Sequence, residues 1–294
     1  MLIFTLVYNK DRENIIEDTR KLVEDFRKKG VIIGISESIE NKTHFVKVYS
    51  EKTLNDRVLK DFNIHMSNIL YNIVVDEFIN SNMYDFIRDT YFFLKNEDIV
   101  KIKKRILQVL KTDKFDLEDS IYCLNKKNAI INKISKIINE NNELNIDGFI
   151  TFRIKSLSED LQGIVEKIVE KYMVDKEYSE FIKLLKYFVE IEESKIDEIN
   201  IIIEKGGKYT LKDSEGKDLT EEVYIDVDDI KFIENINLED MIISWLITNV
   251  PNKIKIYGLN NCKNKEFINT IKNVFENRVS CYNNTIELLN KIKF

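Results

Sequence analysis

Residues 148 to 172 read GFITFRIKSLSEDLQGIVEKIVEKY, with Ile150, Ile154, Leu157, Leu161, Ile164, Ile168 and Tyr172 at spacings of three and four. Those spacings collect the apolar side chains on one face of an α-helix, whereas a strand, with its period of two, would scatter them. Asp147, immediately before, is a residue type that caps helix N-termini. The next stretch, DKEYSEFIKLLKYFVEI (175–191), carries the pattern into one more helix through Phe181, Leu184, Leu185 and Phe188. Those four are expected to be buried core residues and not a ligand groove. Back toward Leu54 the same period recurs. Val58 to Val74 marks one helix, Tyr84 to Leu94 a second, Ile99 to Leu110 a third, and Leu117 to Ile138 a broken fourth.

The two ends of the chain follow another rule. Leu2 to Tyr8 is an apolar run of strand length, Glu13 to Lys29 is helix-patterned with Gly30 where a C-terminal cap belongs, and Val31 to Ser36 and His44 to Tyr49 follow as strands. Beyond Asp197, Ile199, Ile201 and Ile203 alternate. Gly206-Gly207 then supplies a turn, and Tyr209 and Leu211 alternate in return. Val223, Ile225 and Val227 suggest a further short strand, Leu238 to Thr248 a hydrophobic helix stopped by Pro251, and the tail a β-α-β-α series ending in a helix at Ile286 to Ile292. The expected class is α+β. It comprises a small N-terminal β-α-β-β lobe at 1–50, a central helical bundle at 51–196 and a C-terminal α/β region at 197–294. Whether the strands of the two ends share one sheet is left open by the sequence.

The chain has 294 residues, 45 Lys+Arg against 51 Asp+Glu for a net charge of −6, and 44% hydrophobic residues. That excludes disorder by composition and a collagen-like or mucin-like chain. No run approaches the roughly 20 apolar residues that cross a bilayer. The apolar start at Met1 to Tyr8 lacks a basic leader and reads as a strand rather than a signal peptide. Cys123, Cys262 and Cys281 are odd in number and far apart, which argues against a disulfide framework and a zinc ribbon. A soluble cytoplasmic protein with no transmembrane segment is the expectation.

Nucleophilic catalysis needs an activated side chain with an oriented base. The chain has two histidines, His44 and His65, and no G-x-S-x-G, so both are expected to be structural. Gly206-Gly207-Lys208 lacks the spacing of a phosphate-binding loop and leads into a strand. Asp226 and Asp228 would share a face if their segment were a strand, where paired carboxylates can hold Mg²⁺; a solvated polar face is the simpler reading. Basic runs at Arg27 to Lys29, Lys101 to Arg105 and Lys126-Lys127 stand among acids in a chain of negative charge, so nucleic acid is not an expected partner. Arg153 flanks the apolar stripe, and an ion pair with Glu177 or Glu180 is expected if the two helices pack antiparallel.

Four segments carry a family resemblance: ELNIDGFITFRI (143–154), DKEYSEFIKLLKYFVEI (175–191), LEDMIISWLITNVPNKIKIYG (238–258) and FENRVSCY (275–282). They are similar to the YtxC-like family of sporulation proteins of endospore-forming bacteria. The resemblance implies a cytoplasmic, sporulation-associated protein and brings no catalytic, cofactor-binding or metal-binding residue with it. Two function classes follow. The favoured one is a non-enzymatic interaction protein with a protein partner and no cofactor. Its alternative is a carboxylate-based, Mg-dependent enzyme or nucleotide-dependent factor using the C-terminal α/β region. The candidate structural or partner-site residues are Arg153, Glu177, Glu180, Asp226 and Asp228.

Overall fold

Two strands rich in apolar residues, Leu2–Tyr8 (β1) and Thr43–Ser50 (β3), pair antiparallel with Leu6 opposite Val46 and Phe4 opposite Val48. In this computed structural model, which describes residues 1–9, 12–112, 120–225 and 237–283, the class is α+β. Between those strands run Glu13–Lys28 (α1) and Ile33–Glu40 (β2). Gly30 ends α1 at φ +77°, a left-handed conformation that costs a residue without Cβ little. Then come Asp56–Ser81 (α2), Met83–Thr90 (α3), Asn96–Lys111 (α4), Ser120–Glu140 (α5), Glu143–Asn145 (β4) and Ile146–Ile191 (α6). The first sheet has the order β2-β3-β1-β4. β1 lies inside it and is buried from Phe4 to Tyr8, residues of both faces included, as a central strand covered on both sides must be.

The second sheet is built from Glu198–Ile203 (β5), Tyr209–Asp213 (β6), Lys253–Tyr257 (β7) and Val279–Tyr282 (β8), in the order β6-β5-β7-β8. β5 and β6 form the expected hairpin, with Gly206 and Gly207 at φ +107° and +87°, and β7 and β8 form the expected parallel pair. Thr220–Ile225 (α7), Leu238–Asn249 (α8) and Lys265–Phe275 (α9) complete the described elements. The strands of the two ends therefore belong to different sheets. The chain forms two compact units, Met1–Met173 and Val174–Phe294, each with its own apolar core. In the first, residues of the 1–50 segment such as Phe26 and Val48 share one core with Phe62, Ile102 and Leu161 from the helices.

Several sequence expectations change. The helices expected at 148–172 and 175–191 are one helix of 46 residues, because no Gly or Pro occurs between Gly163 and Gly206 to interrupt it. The fourth helix is continuous from Ser120 to Glu140, and α3 stops at Thr90, ahead of Tyr91 and Leu94. β4 was invisible in the sequence; it exists because Thr5 to Val7 offer a parallel edge to Glu143 to Asn145. Asn145, not Asp147, caps α6: its Oδ1 accepts the Gly148 N–H at 2.9 Å, while Asp147 accepts the Asn9 N–H at 2.6 Å. Val223 and Ile225 sit in a helix rather than a strand. The Asp218 carboxylate accepts the Thr220 N–H at 2.8 Å, and Glu221 and Glu222 occupy the first turn, where the helix dipole favours acids. Val227 and the tail helix expected at Ile286 to Ile292 lie outside the described residues.

Candidate functional site

The C-terminal half of α6 is apolar over a wider arc than its own core uses. Ile182, Leu185 and Val189 are buried in the second core, yet Phe181, Leu184, Phe188 and Ile191, at the same three- and four-residue spacing, are 43–55% exposed. The expectation that Phe181, Leu184, Leu185 and Phe188 are all core is thereby corrected: Leu185 alone is buried. Phe181, Leu185 and Phe188 instead line an open groove of about 690 Å³ that α8 and α9 complete. Covering the arc would take another helix, and none of the described elements of this unit supplies it.

Local sequence explains the other two walls. Asn237 caps α8 by accepting the Glu239 N–H, and the helix ends at Val250, whose N–H reaches Leu246 O at 2.8 Å before Pro251 forbids another turn. Ile242, Trp245 and Leu246 are buried; Ile243 and Ile247, on the adjoining arc, face the groove. Asn264 caps α9 with bonds from the N–H groups of Glu266 and Phe267 at 3.0 and 3.3 Å. Tyr178 on α6 and Thr270 on α9 are hydrogen-bonded at 3.0 Å, and Lys186 pairs with Glu276 just beyond α9. α6 and α9 thus run in the same direction. Lys195 N–H bonds Asn249 O at 3.0 Å, bringing the chain after α6 to the end of α8 as well.

One end of the groove therefore holds the first turns of both α8 and α9, and it is polar. Glu239 accepts from the Tyr209 hydroxyl on one oxygen and from the Asn264 amide on the other. Tyr209 lies edge-on to Phe267 with ring centroids 5.2 Å apart, and its hydroxyl is 3.7 Å from the Cys262 sulfur. Burial first, then the hydrogen bonds to Glu239 and Cys262, raise the Tyr209 hydroxyl well above the ordinary tyrosine value, so it stays a donor throughout the physiological range. Both oxygens of the Glu239 carboxylate are thus engaged, which fixes its position in the groove wall. Asp240 and Glu266 add two exposed carboxylates at the same end, and no Lys or Arg stands among the described lining residues.

The residues singled out from sequence fall elsewhere. Arg153 is exposed, in the first unit, and its carbonyl accepts the Ser156 hydroxyl at 3.0 Å. Glu177 and Glu180 are exposed beside Tyr178 and Phe181. All three lie on α6, so the antiparallel helix pair that their ion pair required is not formed. Asp226 and Asp228 lie outside the described residues. The two histidines have structural contacts: His44 stacks on Tyr8 and bonds Glu37 at 3.2 Å, and His65 Nδ1 bonds Asp61 O at 2.8 Å. Among the described residues, no three His, Cys, Asp or Glu are grouped to hold a metal, and no helix is long and apolar enough to cross a membrane. Sequence reading missed Glu239, Asp240, Asn264 and Glu266, although an Asn two residues ahead of an acid, at 237 and again at 264, is a legible helix-start signal.

No solved structure matches the chain. It is 24% identical over 216 residues to the Bacillus subtilis (strain 168) protein named "Uncharacterized protein YtxC", across 73% of this chain and 75% of that one. Residues 64–280 match the YtxC-like family model, a span that contains α6, α8, α9 and the groove between them; the chain belongs to the YtxC-like family.

Proposed function

We propose that this chain is a non-enzymatic interaction protein of the cytoplasm, acting in the sporulation programme, and that the groove of its second unit is where a protein partner sits. The observation that supports this reading is the exposed aromatic wall of α6. Phe181 and Phe188 remain 52% and 43% exposed beside Ile243 and Ile247, and apolar surface of that kind, rimmed by charge, marks interaction sites on folded proteins. A sporulation role and cytoplasmic residence rest on the family resemblance.

A photo-crosslinking amino acid placed at Phe181 in the full chain, expressed in sporulating cells, tests the reading. A discrete protein adduct is expected there and not when the same group replaces the exposed Glu37 of β2. Equal adduct patterns at both positions would refute the proposal.

A further inference from the structure

The groove is charged unevenly along its length. At the end where α8 and α9 begin stand Glu239, Asp240 and Glu266, with Glu177 and Glu180 on the corresponding turns of α6; the rest of the described lining, including Leu185 and Phe188 on α6 and Ile243 to Thr248 on α8, carries no charged residue. Two helix N-termini contribute about half a positive charge each, which three full carboxylates in the groove wall outweigh. Lys263 and Lys265 lie close in sequence but outside the lining. Glu239 cannot swing away, because Tyr209 and Asn264 both hold it.

The apolar part has the dimensions of a helix. From Tyr178 to Phe188 α6 lines the groove at positions 178, 181, 185 and 188, a run of about 15 Å at 1.5 Å per residue, and α8 from Glu239 to Thr248 runs about 14 Å beside it. Spacings of three and four on both walls leave ridges into which the side chains of a third helix can pack. We infer that the groove takes an amphipathic helix of about ten residues from a protein partner, apolar side inward, with basic residues over the end marked by Glu239, Asp240 and Glu266. This rests on the interaction reading above and specifies the chemistry of the partner.

The test uses the full chain and two synthetic helical peptides that share one leucine face, one flanked by lysines and the other by glutamates, with binding read by fluorescence anisotropy. The lysine peptide is expected to bind saturably, at least about tenfold more tightly than the glutamate peptide, and to weaken as ionic strength rises. Asp240→Asn with Glu266→Gln, both exposed, should weaken the lysine peptide by about tenfold and leave the glutamate peptide unweakened. Phe181→Asp should abolish binding of both while the buried Trp245 keeps its native fluorescence. Equal affinity for the two peptides, or no binding of either, overturns the inference. So does a dimer of the free chain that Phe181→Asp dissociates, since a second copy would then be the occupant. A cellular adduct at position 181 mapped to a partner segment that is not a basic helix would sink this inference and leave the interaction reading standing.

Discussion

Phe181 and Leu185 stand one helical turn apart on α6 and should respond unequally to truncation. Leu185 is 8% exposed and packs in the second core, so Leu185→Ala removes a buried side chain and leaves a void; such changes cost about 2–5 kcal/mol. Phe181 is 52% exposed over an open groove. Full burial of a phenylalanine contributes about 1.5–3 kcal/mol, so roughly half of that, about 1 kcal/mol, is at stake in Phe181→Ala, and no closed cavity results. The larger residue is expected to matter less to stability.

The measurement is urea unfolding followed by the fluorescence of Trp245, the single tryptophan of the chain, which is 6% exposed in the core of the second unit. A local reporter is needed because two units need not unfold together. With a urea dependence of roughly 1.5 kcal/mol/M, Leu185→Ala should lower the midpoint by at least about 1.3 M and Phe181→Ala by about 0.7 M. A midpoint loss for Phe181→Ala equal to that for Leu185→Ala would refute the reasoning. The groove would then be closed in solution, and Phe181 would be the core residue that its periodicity alone suggests.

Three further outcomes are expected. Gly258, which follows β7, sits at φ +79°, and a Cβ there would lie 2.3 Å from the Ile203 carbonyl oxygen. Gly258→Ala should therefore combine left-handed strain of about 1–2 kcal/mol with a backbone clash, and give a second unit that unfolds at clearly lower urea by Trp245 fluorescence. Burial alone would raise the carboxyl of Asp160, but its hydrogen bonds from Lys133 at 2.6 Å and Lys126 at 3.0 Å outweigh that and hold it below the usual aspartate value. A depressed folded-state pKa gives stability that is present above the unfolded value of about 3.9 and lost as pH falls through the folded one. The gap in circular-dichroism unfolding midpoint between wild type and Asp160→Asn should thus narrow from about pH 6 to about pH 3, and a constant gap would count against the pairing. Because the Tyr209 hydroxyl is raised, Tyr209→Phe should leave the tyrosinate absorbance that develops near pH 10 unchanged, whereas loss of one tyrosine's amplitude there would show the Glu239 bond to be open.

Much of the fold is legible because it is written in short-range pattern. The stripe from Ile150 to Tyr172, the Gly206-Gly207 hairpin and the Asn237 to Pro251 boundaries of α8 each depend on a few adjacent residues. The misreadings concern elements whose existence is decided elsewhere. β4 has three residues, too few to show alternation, and is a strand only because β1 has a free parallel edge beside it. Val223 and Ile225 alternate like a strand, but Asp218 and two acids in the first turn start a helix instead. In α6 the reading placed a break after Tyr172 where the apolar face shifts, yet a change of face does not interrupt backbone hydrogen bonding when no Gly or Pro is present.

The groove was illegible for a stronger reason. Along 181–191 the residues that became core and the residues that line or border the groove share one chemistry and one spacing: Ile182, Leu185 and Val189 against Phe181, Leu184, Phe188 and Ile191. Periodicity states that a helix has an apolar arc; it does not state how many neighbours come to cover it. That number is fixed by α8 and α9, which begin only at Leu238 and Lys265, far along the chain from Ile191, and whose positions follow from pairing in the second sheet. The acid end is equally nonlocal, since Glu239 and Glu266 meet only because Asn264 bonds Glu239 while capping the helix that carries Glu266. A core stripe and an exposed apolar stripe are thus the same sequence object, and the difference between them lies in how many of the described helices pack against the arc.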